Sequence, residues 1–195
     1  MTAQPIRFAG LVSDKPMGFI CHGHSLKELE NNIDKFKSKD IFWASLNNYK
    51  IAEEILSKGN MLLDLIIAFN PMYNDISCSY APIYKEAGTP RVRGNSLSEF
   101  LFQLKDIGFK KPIFLFGADG YSDEGSSVYY KETNLHSNPD GDRNRLHRLD
   151  TDAFNKTWQS EKFGGDFFTR VYNCSPNSHY TPFRKITVKE CLDLL

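Results

Sequence analysis

Residues 62–69, Leu62-Leu63-Asp64-Leu65-Ile66-Ile67-Ala68-Phe69, form a nearly unbroken apolar run. A run of this kind is typical of a strand buried on both faces of a parallel sheet, whereas a strand with one wet face alternates apolar and polar side chains. Other apolar stretches of strand length occur at residues 17–21, 40–46, 111–117 and 167–174. A sheet at the centre of the fold is therefore the first prediction.

Helical patterns lie between these strands. The Ser-x-x-Glu or Thr-x-x-Glu pattern of a capping box, in which a hydroxyl and a carboxylate satisfy first-turn amides, begins at Ser25, Ser96 and Thr187. Further helices are predicted over residues 49–58, with Gly59 as C-cap, and over residues 152–162. This alternation predicts an α/β fold, a Rossmann-like three-layer αβα sandwich with a mostly parallel sheet.

Two segments do not follow the alternation. Residues 71–92 contain three prolines and no clean period, which predicts a loop with room for one short helix. Residues 120–150 are polar and poor in aliphatics, so they are either disordered or an active-site lid. The tyrosines within them, Tyr121, Tyr129 and Tyr130, favour the lid. We therefore expect residues 1–195 to form one Rossmann-like domain with a lid at 120–150.

Composition narrows the class of protein. Lys plus Arg and Asp plus Glu both number 24, so no net charge supports binding to nucleic acid or to a membrane surface. The four cysteines show no Cys-x-x-Cys spacing, which indicates reduced thiols. We predict no signal peptide, and no apolar run of the sequence is long enough to span a bilayer. We expect a soluble, cytoplasmic protein with no integral membrane segment.

Polar, turn-forming residues follow the ends of several predicted strands. In open α/β sheets the ligand binds in the crevice beyond the carboxyl ends of the strands. The turn His22-Gly23-His24-Ser25 precedes a helix, whose amides and partial positive charge suit a phosphate or a ribose hydroxyl. Gly23 would let a ligand approach the backbone. The alternative, an ordinary turn with Ser25 as cap, stays open.

Asn47 and Asn70 both come just after a predicted strand. Their amides can recognise a base or a sugar through paired donor and acceptor atoms, although asparagine is also common in turns. Two asparagines at equivalent places favour a ligand. Gly117 is the last residue of the strand at 111–117 and Asp119 follows it, while Asn177 and Ser178 follow the last strand.

The sequence gives little support to a metal site or to a nucleophilic catalytic residue. Asp119 and the acidic residues of the lid lack the spacing of a calcium loop, and no His/Cys set has zinc spacing. We therefore predict no required metal. Histidine is suited to proton transfer near neutral pH, but His136 and His179 are expected to be ordinary surface residues. Without a Gly-x-Ser-x-Gly elbow, acyl transfer is not expected.

Several of these segments together resemble a known family. In chain order they are Phe19–Glu28, Asn70-Pro71, Gly117–Tyr121, Gly125–Ser127, His147-x-x-x-Thr151-Asp152 and Cys174–Ser178. Over residues 17–184 this order resembles the bacterial sialyltransferases of glycosyltransferase family 42. The resemblance implies a metal-independent, inverting transferase without a cofactor. It would move sialic acid or a related acidic sugar from a CMP-activated donor to a hydroxyl of a glycan or other acceptor.

The resemblance also implies roles for individual residues. The turn His22–Ser25, with Asn47 and Asn70, would hold the nucleotide, and His147 would be the general base. The other implied residues are Tyr121 with Tyr129 or Tyr130 as donors to the departing phosphate, and Gly117, Asp119, Asn177 and Ser178 at the donor pocket. Phenol donors can stabilise the charge that develops on a leaving group, and a histidine base suits an alcohol near neutral pH.

This chain also departs from the family pattern. Arg91-Val92-Arg93-Gly94 stands where the family has an Arg-Ile-Thr-Ser run, and His22 replaces an asparagine. The identity of the sugar therefore stays open. Two other interpretations remain: a pyrophosphoryl transferase like the MptE-like or DUF115 proteins, whose His-x-His-Gly-Asp-Asn type signature is absent here, and a nucleotide-binding protein without catalysis.

Overall fold

The computed structural model describes residues 8–46, 49–68, 78–85, 96–121, 142–159 and 165–195. The strands are β1 Met17–Ile20, β2 Phe42–Leu46, β3 Leu65–Ala68, β4 Ile83–Lys85, β5 Ile113–Phe116, β6 Val171–Asn173 and β7 Arg184–Lys185. The α-helices are α1 Leu26–Asn32, α2 Lys50–Lys58, α3 Ser96–Asp106, α4 Asp142–Trp158 and α5 Val188–Leu194. Short 3-10 helices occupy Phe8–Gly10, Ile33–Phe36 and Gly165–Arg170.

The seven strands form one sheet in the order β4-β3-β2-β1-β5-β6-β7, and every neighbouring pair is parallel. At the centre, Phe19 of β1 pairs with Ala44 of β2 on one side and with Leu115 of β5 on the other. In chain order, β1 to β4 extend the sheet toward one edge, and β5 to β7 extend it toward the other edge. The order therefore reverses between β1 and β5, which is where open α/β sheets bind their ligands.

Successive strand residues point to opposite faces of the sheet and so divide between two cores. Phe19 and Leu115 belong to the core that α3 and α4 cover. Ile20 and Phe114 belong to the core that α1, α2 and α5 cover. The sheet is thus buried on both sides, and the predicted three-layer α/β architecture is confirmed.

Aromatic residues fasten α4 to its face of the sheet. Phe154 and Trp158 are almost completely buried. The indole N–H of Trp158 donates to Oγ of Ser98 on α3 over 2.8 Å. Large buried rings dominate core energetics, so the carboxyl-terminal half of α4 is a firm anchor for the half that carries His147.

Several elements differ from the predictions, among them the unpredicted edge strand β7. Residues 167–170, expected to be strand, belong to the 3-10 helix Gly165–Arg170, which packs Phe168 against Trp158. The helix expected at 152–162 begins at Asp142, so the final part of the proposed lid is helical, and residues 122–141 lie outside the described residues. The expected loop at 71–92 contains β4, a three-residue edge strand.

The predicted capping boxes also have different outcomes in the structure. The box at Thr187 is confirmed: Glu190 N donates to Thr187 Oγ1 over 3.1 Å, and Thr187 N donates to the Glu190 carboxylate over 2.7 Å. The hydrogen bonds that the backbone N–H and the hydroxyl of Thr187 donate to this carboxylate lower the pKa of Glu190. The box at Ser25 is wrong, because Ser25 makes no side-chain capping bond. Ser96 is the first residue of α3, and Glu99 accepts from Gln103 inside the helix.

Among the described residues, no helix has the length and apolar character required to cross a membrane.

Candidate functional site

A cavity of about 540 Å³ opens at the carboxyl ends of β1, β5 and β6, where the strand order reverses. Its walls come from the turn and first residues of α1, the turn after β5, the turn after β6 and the start of α5. The lining residues are His24, Ser25, Lys27, Glu28, Asp119, Gly120, Tyr121, Cys174, Pro176, Asn177, Thr187 and Val188.

A hydrogen-bonded group joins the three strand ends. Ser25 N donates to Asp119 Oδ2 over 2.8 Å, and the Ser25 hydroxyl donates to Asp119 Oδ1. The Ser25 hydroxyl also lies 2.5 Å from the hydroxyl of Ser175. The turns after β1, β5 and β6 are thus tied together by side chains at the bottom of the crevice. This long-range contact, and not local capping, fixes the position of Ser25.

Gly23 is required by the packing of two turns. Its N–H donates to the carbonyl of Gly117 over 2.8 Å. A Cβ at Gly23 would stand 2.4 Å from Asp119 Oδ2 and 2.6 Å from the Gly117 carbonyl oxygen, closer than side-chain carbons come to such atoms. Gly117 itself has φ +70°, which favours glycine. The two glycines let the β1 and β5 turns touch, which is a different role from the ligand clearance predicted for Gly23.

The amides at the start of α1 already have acceptors in the protein. Ser25 N donates to Asp119. The next three amides, from residues 26–28, donate to the carbonyls of residues 23–25. The expectation that these amides are open to a phosphate is therefore wrong for residues 25–28. A ligand in the cavity meets the side chains of this turn instead.

The turn after β6 separates the two residues predicted there. Asn177 is exposed and lines the cavity. Ser178 is buried, and its hydroxyl donates to the carbonyl of Ala118 over 2.6 Å while accepting from Tyr180 N. Asn173 Nδ2 donates to the same Ala118 carbonyl over 2.9 Å. Ser178 therefore supports the wall from behind, and Asn177 presents an amide to the cavity.

Tyr121 forms the wall on the side of α4. Its ring stacks on the imidazole of His179 at a centroid distance of 3.6 Å and an angle of 13°. The guanidinium carbon of Arg148 lies 4.6 Å from the centre of the same ring, a cation–π contact. His147, the preceding residue on α4, is half-buried, and its carbonyl accepts from Thr151 Oγ1 over 2.7 Å. His147 is not among the described residues that line the cavity.

Electrostatics keep the thiols near the cavity neutral. Burial raises the pKa of Cys21, and the negative charge of Asp119 raises it further. Burial also raises the pKa of Cys174, as does its hydrogen bond with Cys191. Thiolate is the nucleophilic form of cysteine, so neither thiol is activated at neutral pH. In the described part of the chain, no three His, Cys, Asp or Glu side chains group as metal ligands.

The structure places the predicted site residues in three groups. Those in the cavity wall are His24, Ser25, Asp119, Tyr121 and Asn177. Those in or behind the turns are His22, Gly23, Gly117 and Ser178, with His147 on α4. Those outside the described residues are Asn47, Asn70, Tyr129 and Tyr130.

Sequence reasoning missed several side chains of this site. Lys27 and Glu28 line the cavity from the first turn of α1, and their place directly after a strand-end turn was the available signal. Ser175 lies inside a turn that was recognised, but its bond to Ser25 depends on tertiary structure. His179, expected to be an ordinary surface histidine, stacks on Tyr121.

Comparisons with protein-family models, with curated proteins and with solved structures find no match to this chain.

Proposed function

We propose that the cavity binds a cytidine nucleotide and that the protein is a glycosyltransferase acting on a CMP-activated sugar. The observation that supports this most is the cavity's position where the strand order reverses, with Ser25, Asp119 and Asn177 brought there by three strands. Crevices at this point are the usual ligand site of open α/β sheets. A volume of about 540 Å³ is in the range of small-molecule and cofactor pockets.

One cation of the wall, Lys27, suits a phosphate. Two carboxylates line the same cavity: Asp119, which is hydrogen-bonded to Ser25, and Glu28. The ring of Tyr121 brings a phenol to the same wall. In the proposed reaction the bond between sugar and phosphate breaks, so negative charge grows on the phosphate, and Lys27 and Tyr121 would stabilise it. The transfer is proposed to invert the anomeric centre and to need no metal.

His147 is the proposed general base. It is adjacent to Arg148, whose guanidinium contacts the ring of Tyr121, so the backbone of His147 lies on the segment of α4 next to Tyr121, although no described residue of α4 lines the cavity. A histidine there suits removal of a proton from the acceptor hydroxyl at neutral pH. The acceptor would be a glycan or another hydroxyl compound.

A thermal-shift screen with CMP, CDP, UDP, GDP and ATP, each with EDTA or with Mg²⁺, tests which nucleotide the protein binds. A ligand at a hundred times its dissociation constant stabilises by roughly 2.7 kcal/mol. We expect CMP and CDP to raise the melting temperature in EDTA. The Lys27→Gln variant should respond less, and Lys110→Gln, a change at an exposed lysine that does not line the cavity, should respond like the wild type.

The second stage measures release of CMP from CMP-sialic acid and related donors. Release that rises with an added acceptor supports transfer. A shift only with ATP and Mg²⁺ would instead favour pyrophosphoryl transfer. CMP binding without release from any donor would reduce the proposal to a nucleotide-binding protein.

A further inference from the structure

The backbone of His179 is held between β5 and α4. Its N–H donates to the carbonyl of Asp119 over 2.8 Å, and its carbonyl accepts from Asn155 Nδ2 over 2.8 Å. The other end of the Asn155 amide, Oδ1, accepts from Thr181 N over 3.0 Å. These bonds use backbone atoms of the loop, so the loop position does not depend on the imidazole for them.

The imidazole has a different contact, the stack on Tyr121. Gly120 makes this arrangement possible: it has φ +94°, and a Cβ there would lie 3.2 Å from Cβ of His179 and 3.0 Å from Thr151 Oγ1. The backbone before Tyr121 thus runs close against both the His179 loop and α4. From this position the ring of Tyr121 reaches the cavity wall, and the imidazole covers one part of it.

We propose that His179 is a positioning residue that holds the ring of Tyr121 in the cavity wall. The side chain acts through Tyr121 and does not itself line the cavity. Stacked aromatic pairs have coupling energies that correspond to roughly two- to tenfold in an equilibrium. Loss of the imidazole should shift the equilibrium between the stacked and the displaced position of the tyrosine ring by that factor. A flat apolar ring in place of the imidazole should restore the stacked position. The part that Tyr121 plays toward a ligand rests on the proposed function.

The test that is independent of any ligand is nitration by tetranitromethane followed by peptide mapping. We expect Tyr121 to be nitrated roughly two- to tenfold faster in His179→Ala than in the wild type, because its ring becomes more accessible. His179→Phe should return the rate to near the wild-type value. Tyr172, which packs on Phe114 of β5, serves as the internal control and should not change. Equal Tyr121 rates in wild type and His179→Ala, or fast nitration in His179→Phe as well, would overturn the proposal.

A second arm uses CMP affinity in a double-mutant cycle of His179→Ala and Tyr121→Ala. If His179 acts through Tyr121, its replacement weakens CMP binding in the wild-type background and has little effect once Tyr121 is alanine. Additive losses would contradict a positioning role. If CMP does not bind the wild type at all, the proposed function fails, and the nitration rates still decide whether His179 positions Tyr121.

Discussion

Ser25 donates both its backbone N–H and its hydroxyl to the carboxylate of Asp119, a residue 94 positions further along the chain. This pair fastens the turn after β1 to the turn after β5, across the point where the strand order reverses. Ser175 extends the connection to the end of β6. The bottom of the cavity is thus built from a network that no single segment of the sequence contains.

Replacing Asp119 by asparagine should destabilise the fold. An asparagine side chain has one oxygen to accept from Ser25, and its NH₂ group would face a second donor. We expect the free energy of unfolding to fall by about 1–3 kcal/mol, measured by urea denaturation. Asp193→Asn changes an exposed carboxylate on α5 and should stay within about 0.5 kcal/mol of the wild type. Equal stabilities for the two variants would mean that the Ser25–Asp119 contact contributes nothing.

The contact between Gly23 and the β5 turn predicts a sharp difference between two glycine substitutions. Gly23→Ala places a methyl 2.4 Å from the Asp119 carboxylate, whereas a Cβ at Gly10 meets nothing within 4 Å. Overpacking of this kind costs about 1–3 kcal/mol, so Gly23→Ala should lower the melting temperature and Gly10→Ala should leave it nearly unchanged. A Gly23→Ala protein as stable as the wild type would show that the two turns can separate.

The partly buried thiol of Cys21 predicts a loss of stability at alkaline pH. Burial and the charge of Asp119 raise the pKa of Cys21 above its ordinary value of 9.0. The unfolded chain therefore loses this proton at a lower pH than the folded chain, and stability falls as pH rises past about 9. Below that pH the contribution is fully present. Unfolding free energies measured from pH 7 to about 10 should fall less steeply in Cys21→Ala. If the variant and the wild type lose stability with the same slope, the Cys21 thiol is not the cause of the loss.

The proposed general base predicts a separation between turnover and binding. His147→Ala should lower transfer by about a hundredfold or more, while the dissociation constant for CMP changes little. Leu146→Ala, an exposed side chain next to it on α4, is the matched control and should retain activity. Tyr121→Phe should lose less than His147→Ala. Wild-type turnover in His147→Ala would reduce this residue to a side chain on the helix surface.

The fold could be predicted largely because its strands are short apolar runs, and a short apolar run bounded by turn residues is typical of a buried strand. β4 and β7 were missed because they have three and two residues and are strands only through pairing at the sheet edges. The aromatic run near Phe167 suits a strand and a 3-10 helix equally well. Packing of Phe168 on Trp158, centroid distance 4.8 Å, accompanies the helical form.

The turns that form the site could be predicted from the sequence, but the contacts between their side chains could not. The position of polar residues after the strands predicted Ser25, Asp119 and Asn177, and all three line the cavity. The local pattern at Ser25 predicted a cap, but two hydrogen bonds to a distant carboxylate were available to its N–H and hydroxyl. The role of His179 could not be found in the same way, because a stack on Tyr121 depends on loops that meet only in the folded chain.

The most direct measurement is a calorimetric titration of CMP into the wild-type protein in the presence of EDTA. The proposal predicts saturable binding at one site per chain, weaker in Asn177→Ala, whose amide lines the cavity, and unchanged in Asp193→Asn. Adding Mg²⁺ should not strengthen it. No binding of CMP, or binding that appears only with Mg²⁺, would contradict the claim that this cavity is a metal-independent cytidine nucleotide site.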